Sequence, residues 1–355
     1  MRLLKIWPAL ISILVCGCSL QHHTDRAERI WLNASSLNNA LHSVSLDADV
    51  LPGDKANTKQ SFFTASGAST HLRGKIQSPQ IRELSGIAPV LGERDKYWAI
   101  NDSGNRAQLF AVDGNGRHLG AIDLAINNRD WEDLSSYTYK GENWIALAET
   151  GDNLQRYPVS YIYIFKQPDI NSLPTRLAPF QRIAFTYEDG PTNVESMAVS
   201  ASEGRIYLIA KDGSEPGIYS LPLIASVQAG TSKLIASRTG QLANLFPTSD
   251  DVWWERLFAA RILFDATAAD ISADDRTAVV ANYRHVYLFK RRGDETWADA
   301  FSRKPEILSS HRMQQSEAVA FSAQTDEVVV SSEGVEAPLL AVRPSSQPGI
   351  SSALQ

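Results

Sequence analysis

From about residue 73 the chain runs in short apolar segments separated by turn residues. Tyr97-Trp98-Ala99-Ile100, Gln108-Leu109-Phe110-Ala111-Val112, Trp144-Ile145-Ala146-Leu147-Ala148 and Tyr161-Ile162-Tyr163-Ile164-Phe165 come first. Arg205-Ile206-Tyr207-Leu208-Ile209, Ala278-Val279-Val280, Val286-Tyr287-Leu288-Phe289 and Val328-Val329-Val330 follow. The breaks between them read NDSGN, DGNG, TGDN, KDGSEPG and SADD. Short β-branched and aromatic runs bounded by Gly, Asn and Asp predict strands and tight turns. No convincing amphipathic helix is legible here, so the expected fold class is all-β.

The strands recur in a pattern. Five of them open on an acidic header: Glu83-Leu84-Ser85-Gly86-Ile87-Ala88, Glu132-Asp133-Leu134-Ser135, Glu195-Ser196-Met197-Ala198-Val199, Asp270-Ile271-Ser272 and Glu317-Ala318-Val319-Ala320-Phe321. Header acids lie 49, 63, 75 and 47 residues apart. After most headers a second strand ends in a polar loop, at Asp102, Asp152, Asp212, Asn282 and Glu333. A repeat of about 40–50 residues with four strands is the signature of a propeller blade. The expectation is a single β-propeller over 73–343. Its length suggests six blades, although only five headers are visible; insertions near Gln167–Pro179 and Ala225–Glu255 account for the long intervals. A β-sandwich with irregular loops is the competing architecture.

In a propeller, inner strands start on the face where second strands end. The headers and second-strand loops then open onto one face. That answers why the stretch Asn127–Arg156 carries Asp130, Glu132, Asp133, Glu149 and Asp152: they are one blade's share of a converging acidic ring. Carboxylates so close repel and raise one another's pKa values. Ca²⁺, which takes 6–8 oxygen ligands, would relieve the repulsion. The expected metal ligands are Glu83, Asp102, Glu132, Asp152, Glu195, Asp270 and Glu317. Arg106, Arg156, Lys211 and Arg284 sit in the same loops and could hold an anionic substrate beside a cation. The plainer alternative is that the acids are ordinary turn residues and the bases order the loops. Trp131, Trp144, Trp253 and Trp254 either wall a ligand pocket or pack between sheets.

Glu-Leu-Ser-Gly-Ile-Ala, Asn-Asp-Ser-Gly, Asp-Trp-Glu-Asp-Leu, Gly-Asp-Asn with Arg156, and Glu-Ala-Val-Ala together resemble the SdiA-regulated and esterase-like phytase propellers. They are more distantly similar to the gluconolactonase and paraoxonase type. The resemblance spans about residues 75 to 340. It implies one propeller with a calcium-dependent site on its top face. It would place ligands at Glu83, Glu132, Glu195 and Glu317, with Asp102 and Asp152 nearby. The chain departs from that pattern in its missing sixth header and in Asp270 where a glutamate is expected.

The N-terminus changes the setting. Arg2 and Lys5 precede an apolar run, Ile6 to Val15, too short to span a bilayer. Leu14-Val15-Cys16-Gly17-Cys18 then resembles a bacterial lipobox, with Cys18 as the lipid acceptor. Residues 1–18 read as a lipoprotein signal peptide, 19–72 as a polar tether and 344–355 as a tail. Cleavage would leave a domain without thiol or disulfide, since the chain's 2 cysteines are Cys16 and Cys18. Ser19 after the cysteine suggests an outer-membrane anchor facing the periplasm. A net charge of −6 with no basic run argues against nucleic acid as a partner.

No Gly-x-Ser-x-Gly elbow, His-Glu-x-x-His or Cys cluster occurs. Asp113-Gly114-Asn115 begins like a calcium loop, but its twelfth position is Leu124, which cannot chelate. Two functions remain. One is an envelope-anchored, monomeric binding propeller whose acidic, Ca²⁺-holding face takes a protein partner or a small anionic ligand. The other is a Ca²⁺-dependent phosphoesterase or lactonase with Glu132 or Glu195 as general base. The binding reading leads, because no complete catalytic constellation can be named.

Overall fold

The computed structural model describes residues 69–211, 216–223, 233–245, 264–323 and 327–344. These lie in the second of two compact units, Gln60–Gln355. The lipobox, most of the tether, Asp212, Trp253, Trp254 and the tail beyond residue 344 fall outside the described residues.

The chain enters on β1 (Ser69–Lys75) and then builds blades in order. The first is β2 (Leu84–Pro89), β3 (Lys96–Asn101), β4 (Gln108–Asp113) and β5 (His118–Leu124). The second is β6 (Trp131–Tyr139), β7 (Glu142–Glu149) and β8 (Ser160–Lys166); a two-residue strand β9 (Arg176–Leu177) crosses back to β5, and β10 (Gln181–Tyr187) completes the blade. The third is β11 (Val194–Ser200), β12 (Arg205–Ala210), β13 (Gly217–Pro222) and β14 (Leu234–Gln241). In the fourth, β15 (Ala268–Ile271), β16 (Thr277–Ala281) and β17 (His285–Lys290) precede a short helix α1 (Trp297–Phe301) and β18 (Glu306–Ser310). The fifth is β19 (Ala318–Phe321), β20 (Val328–Ser331) and β21 (Pro338–Arg343), with β1 as its outer strand.

Strands buried on both faces explain the continuous apolar runs. In β3, Tyr97 and Ala99 enter one core cluster while Trp98 and Ile100 enter the next. Successive side chains point to opposite faces, so each blade feeds two interfaces. One cluster fills each interface. Trp98, Trp131 and Phe165 join blades one and two; Phe185, Met197 and Leu208 join two and three. Tyr207, Phe289 and Trp297 join three and four; Leu288, Val319 and Val330 join four and five. Ile87, Tyr97, Val329 and Leu339 close five onto one. The inner strands β2, β6, β11, β15 and β19 likewise touch in sequence and return to β2. The chain is a β-propeller, and its described residues form a closed ring of five blades. The sixth blade suggested by length is not among them, and β14, in the region read as an insertion, is the outer strand of the third.

Two further elements escape the sequence pattern. β1 starts at Ser69, inside the stretch read as tether, and pairs antiparallel with β21 from Ser69↔Arg343 to Lys75↔Pro338. Arg73 clasps this closure, bonding Asp95 of the first blade at 3.0 Å and Glu327 of the fifth at 3.2 Å. The α1 helix has a capping box, Thr296 with Asp299, and buries Trp297 and Phe301 against the third blade's core.

Candidate functional site

What faces the channel is decided by β-bulges. In β6 the pairing with β7 slips between Trp131 and Asp133, and in β11 the pairing with β12 slips between Val194 and Ser196. The extra residue in each is a glutamate, Glu132 or Glu195. A bulge turns one additional side chain to the same edge of the sheet. In β2 the same slip falls between Leu84 and Gly86, so the equivalent residue is Ser85. Glu83 comes before the bulge and stays exposed, held by Asn105 Nδ2 at 2.5 Å. β15 and β19 have no such slip. Glu317 directly precedes β19, and by the pairings Ala268↔Ala281 and Ala318↔Ser331 its counterpart in the fourth blade is Thr267, not Asp270.

Four expected ligands do converge: Asp102, Glu132, Glu195 and Glu317. Asp130 and Glu333 join them. Oxygens of Asp102, Asp130 and Glu132 all lie within 4.8 Å of one another. That is about twice the 2.3–2.6 Å of a Ca²⁺–oxygen bond, so one cation fits between them. Glu195 pairs with Lys211 Nζ at 2.6 Å, Lys211 reaches Tyr283 Oη at 3.3 Å, and Tyr283 donates to Glu317 Oε1 at 2.6 Å. Glu317 also shares a hydrogen bond with Glu333.

The electrostatics follow from burial. Desolvation, then repulsion from Glu195, Asp102 and Asp130, pushes the Glu132 carboxyl well above its usual range. Asp102 is raised to about 7 by burial and by Asp130 and Glu317, against the Ser103 N–H that its carboxylate accepts. Asp130, Glu317 and Glu333 are raised in the same way, burial first. Among the described residues two cations answer these six carboxyls. Lys211, although burial works against its charge, is held above its normal range by Glu195 and Glu317. Arg129 acts on Asp130 but is also engaged with Glu149 at 3.5 Å and stacks 4.1 Å over the Tyr157 ring. The mouth therefore has a surplus of buried negative charge, and a hard cation suits it.

The remaining expected residues stand elsewhere. Asp152 turns into its own loop, accepting the N–H groups of Arg156 at 2.8 Å and Tyr157 at 2.7 Å. Asp270 lies deeper in the channel, accepting the N–H groups of Ile271 at 3.0 Å and Phe321 at 2.9 Å. Arg106 is exposed and pairs with Asp123 at 3.3 Å. Arg156 is exposed. Arg284 holds the Tyr283 carbonyl at 3.4 Å. Of the four expected anion-binding bases, Lys211 alone is placed among the carboxylates. Trp131 is buried in the core between blades one and two, and Trp144 packs against Phe180. Sequence reasoning left Asp130, Tyr283 and Glu333 out of the ligand set. Glu333 carried a signal, since it ends a second strand as Asp102 does; Asp130 sits in a turn with none.

Gly151 shows how tightly the mouth is built. A Cβ there would collide with Glu132 Oε1 and the Asp130 carboxyl. Gly151→Ala is expected to spread these two carboxylates and abolish any cation-induced rise in melting temperature, with the fold retained by circular dichroism. An unchanged cation response would separate the Gly151 contact from the site.

The sequence matches no protein-family model and no curated protein. Among solved structures it is similar to a chain in the crystal structure of a nidogen/laminin complex. The alignment has a TM-score of 0.36 and 11% identity, over 71% of this chain and 73% of that chain. A likeness this weak carries no argument about function. The propeller assignment stands on the strand pairings, the five interface clusters and the closed ring of inner strands.

Proposed function

We propose that this chain is a cation-dependent binding propeller, tethered to a bacterial envelope by lipid on Cys18, whose acidic mouth holds Ca²⁺ and presents it to a protein partner or a small anionic ligand. The observation that carries this reading is the mutual placement of Asp102, Asp130 and Glu132, with all three oxygens within 4.8 Å. Glu195 and Glu317 stand behind them, each already engaged by Lys211 or Tyr283. Bound Ca²⁺ would supply the positive charge the cluster lacks and leave outer coordination positions for ligand oxygens. Lys211 would go on balancing the charge of Glu195.

The test is metal content and melting temperature of the soluble chain from Ser19, with Ca²⁺ and with chelator. Bound calcium and a higher melting point support the reading. No binding and no shift would return the acids to structural roles.

One observation favours a second reading, a hydrolase of the kind found among esterase-like phytases. Burial and like charge equip Glu132 to take up a proton near neutral pH, as a general base must. Calcium-dependent turnover of a phosphomonoester, lost in Glu132→Gln with Ca²⁺ binding measured alongside, would select it.

A further inference from the structure

The channel has a second mouth. The acidic cluster sits where the inner strands begin, and their far ends surround a cavity of about 520 Å³. Its wall is drawn from all five: Pro89 ends β2, Ser136 to Tyr139 end β6, Val199 lies near the end of β11, Ile271 ends β15 and Phe321 ends β19. The volume falls within the range of small-molecule sites, about 300–1,000 Å³.

The lining is aromatic and acidic. Tyr137, Tyr139 and Phe321 supply rings, and Asp270 supplies a buried carboxyl at 3% exposure. Asp270 takes the N–H groups of Ile271 and Phe321 and a hydrogen bond with Ser135. A carboxylate offers about four lone-pair sites, so one is left. Ser136 Oγ is buried without a partner. The other two carboxylates of the wall are engaged: Asp275 with Arg291, Trp297 and Ser200, and Asp274 with Ser272. Lys140, the basic residue on the lining, holds its ammonium 5.3 Å over the Tyr139 ring.

We infer that this cavity binds a small organic ammonium, its charge on Asp270 and its apolar body against Tyr137, Tyr139 and Phe321. Aromatic faces attract a cation by their quadrupole, and a desolvated site strengthens that attraction. A free carboxylate acceptor adds a charge-assisted hydrogen bond, which Ser136 Oγ supplements as a second acceptor. Burial raises Asp270 to about 7, so an ammonium would also favour its ionised form. An anion would meet an acidic wall, and a neutral apolar ligand would leave Asp270 and Ser136 unanswered.

The test is titration calorimetry of the full chain with phenethylamine and with 2-phenylethanol, in saturating CaCl₂ to keep the amine from the acidic mouth. The amine is expected to bind at least about tenfold more tightly than the alcohol, a difference of about 1.4 kcal/mol. Ala273, an exposed turn residue on the cavity wall, offers a filling substitution. Ala273→Trp is expected to weaken amine binding at least about tenfold with an unchanged melting temperature; should it melt lower, Thr138→Trp on the opposite wall replaces it. The inference is overturned if the alcohol binds as well as the amine. It is overturned equally if calcium abolishes amine binding, if cavity-filling variants bind normally, or if the amine gives no binding at about 10 mM.

Discussion

Asp133→Ala is expected to cost about 3–6 kcal/mol of stability, a large share of the 5–15 kcal/mol that holds a typical domain together. Asp133 is wholly buried and belongs to β6, yet its carboxyl reaches three blades. Oδ1 accepts the N–H of Leu134 at 2.8 Å; Oδ2 accepts those of Met197 at 2.8 Å and Ala269 at 3.1 Å. The inner strands of a propeller turn an unpaired edge to the channel, and each buried donor left without an acceptor costs about 1–3 kcal/mol. Asp133→Asn keeps one oxygen, which can serve Met197 and Ala269, and loses only the Leu134 bond. Its cost should be about 1–3 kcal/mol. Urea unfolding of both variants checks the order. Equal, small losses would mean that apolar interfaces alone hold the ring.

The same burial sets the direction of the pH dependence. The Asp133 carboxyl is raised well above its usual range by desolvation, and Asp270 is raised from 3.8 to about 7. A group whose folded pKa is raised keeps its proton more tightly when folded. Stability from such a group is complete below its unfolded pKa and is lost as pH climbs toward the folded value. For Asp270 that window runs from about pH 4 to about pH 7, and its width corresponds to an upper figure of about 4 kcal/mol. Metal-free protein should therefore lose stability as pH rises from about 4 to about 7. Asp270→Asn should flatten that slope, measured by thermal melts in matched buffers.

These carboxylates show what was legible in the sequence. Apolar runs punctuated by Asn, Asp and Gly revealed the strands, and the acidic headers revealed their grouping, because both are local patterns. The direction of each header side chain is not local. It depends on a one-residue slip in pairing, present in β2, β6 and β11 and absent from β15 and β19. Glu132 and Glu195 fall on the slip and reach the mouth. Glu83 misses it by two positions, and Asp270 lies three residues beyond Thr267, the residue in register with Glu317. No composition signal marks such a slip. Nor does one mark β1: Ser-Thr-His-Leu-Arg-Gly-Lys reads as polar linker until β21 offers it an edge.

Glu132→Gln is expected to act with opposite signs in the presence and absence of calcium. Without the ion, the substitution removes one of six crowded buried carboxyls, so the melting temperature should rise or hold. With calcium at about 100 times its Kd, the wild-type chain should gain about 2.7 kcal/mol. For a domain of this size that is a rise of roughly 5–10 °C. The substituted amide keeps one neutral oxygen but withdraws a charge from the Asp102–Asp130–Glu132 triangle, and most of the calcium gain should vanish. Asp152→Asn, in a loop whose carboxylate already serves two backbone donors, should lower stability while leaving the calcium shift intact. This pairing separates a metal centre from a generally acidic surface. A surface effect would respond to either substitution and fade with salt, because exposed charges are screened beyond about 8 Å at physiological ionic strength. A coordinated ion held among buried oxygens would respond to Glu132 alone.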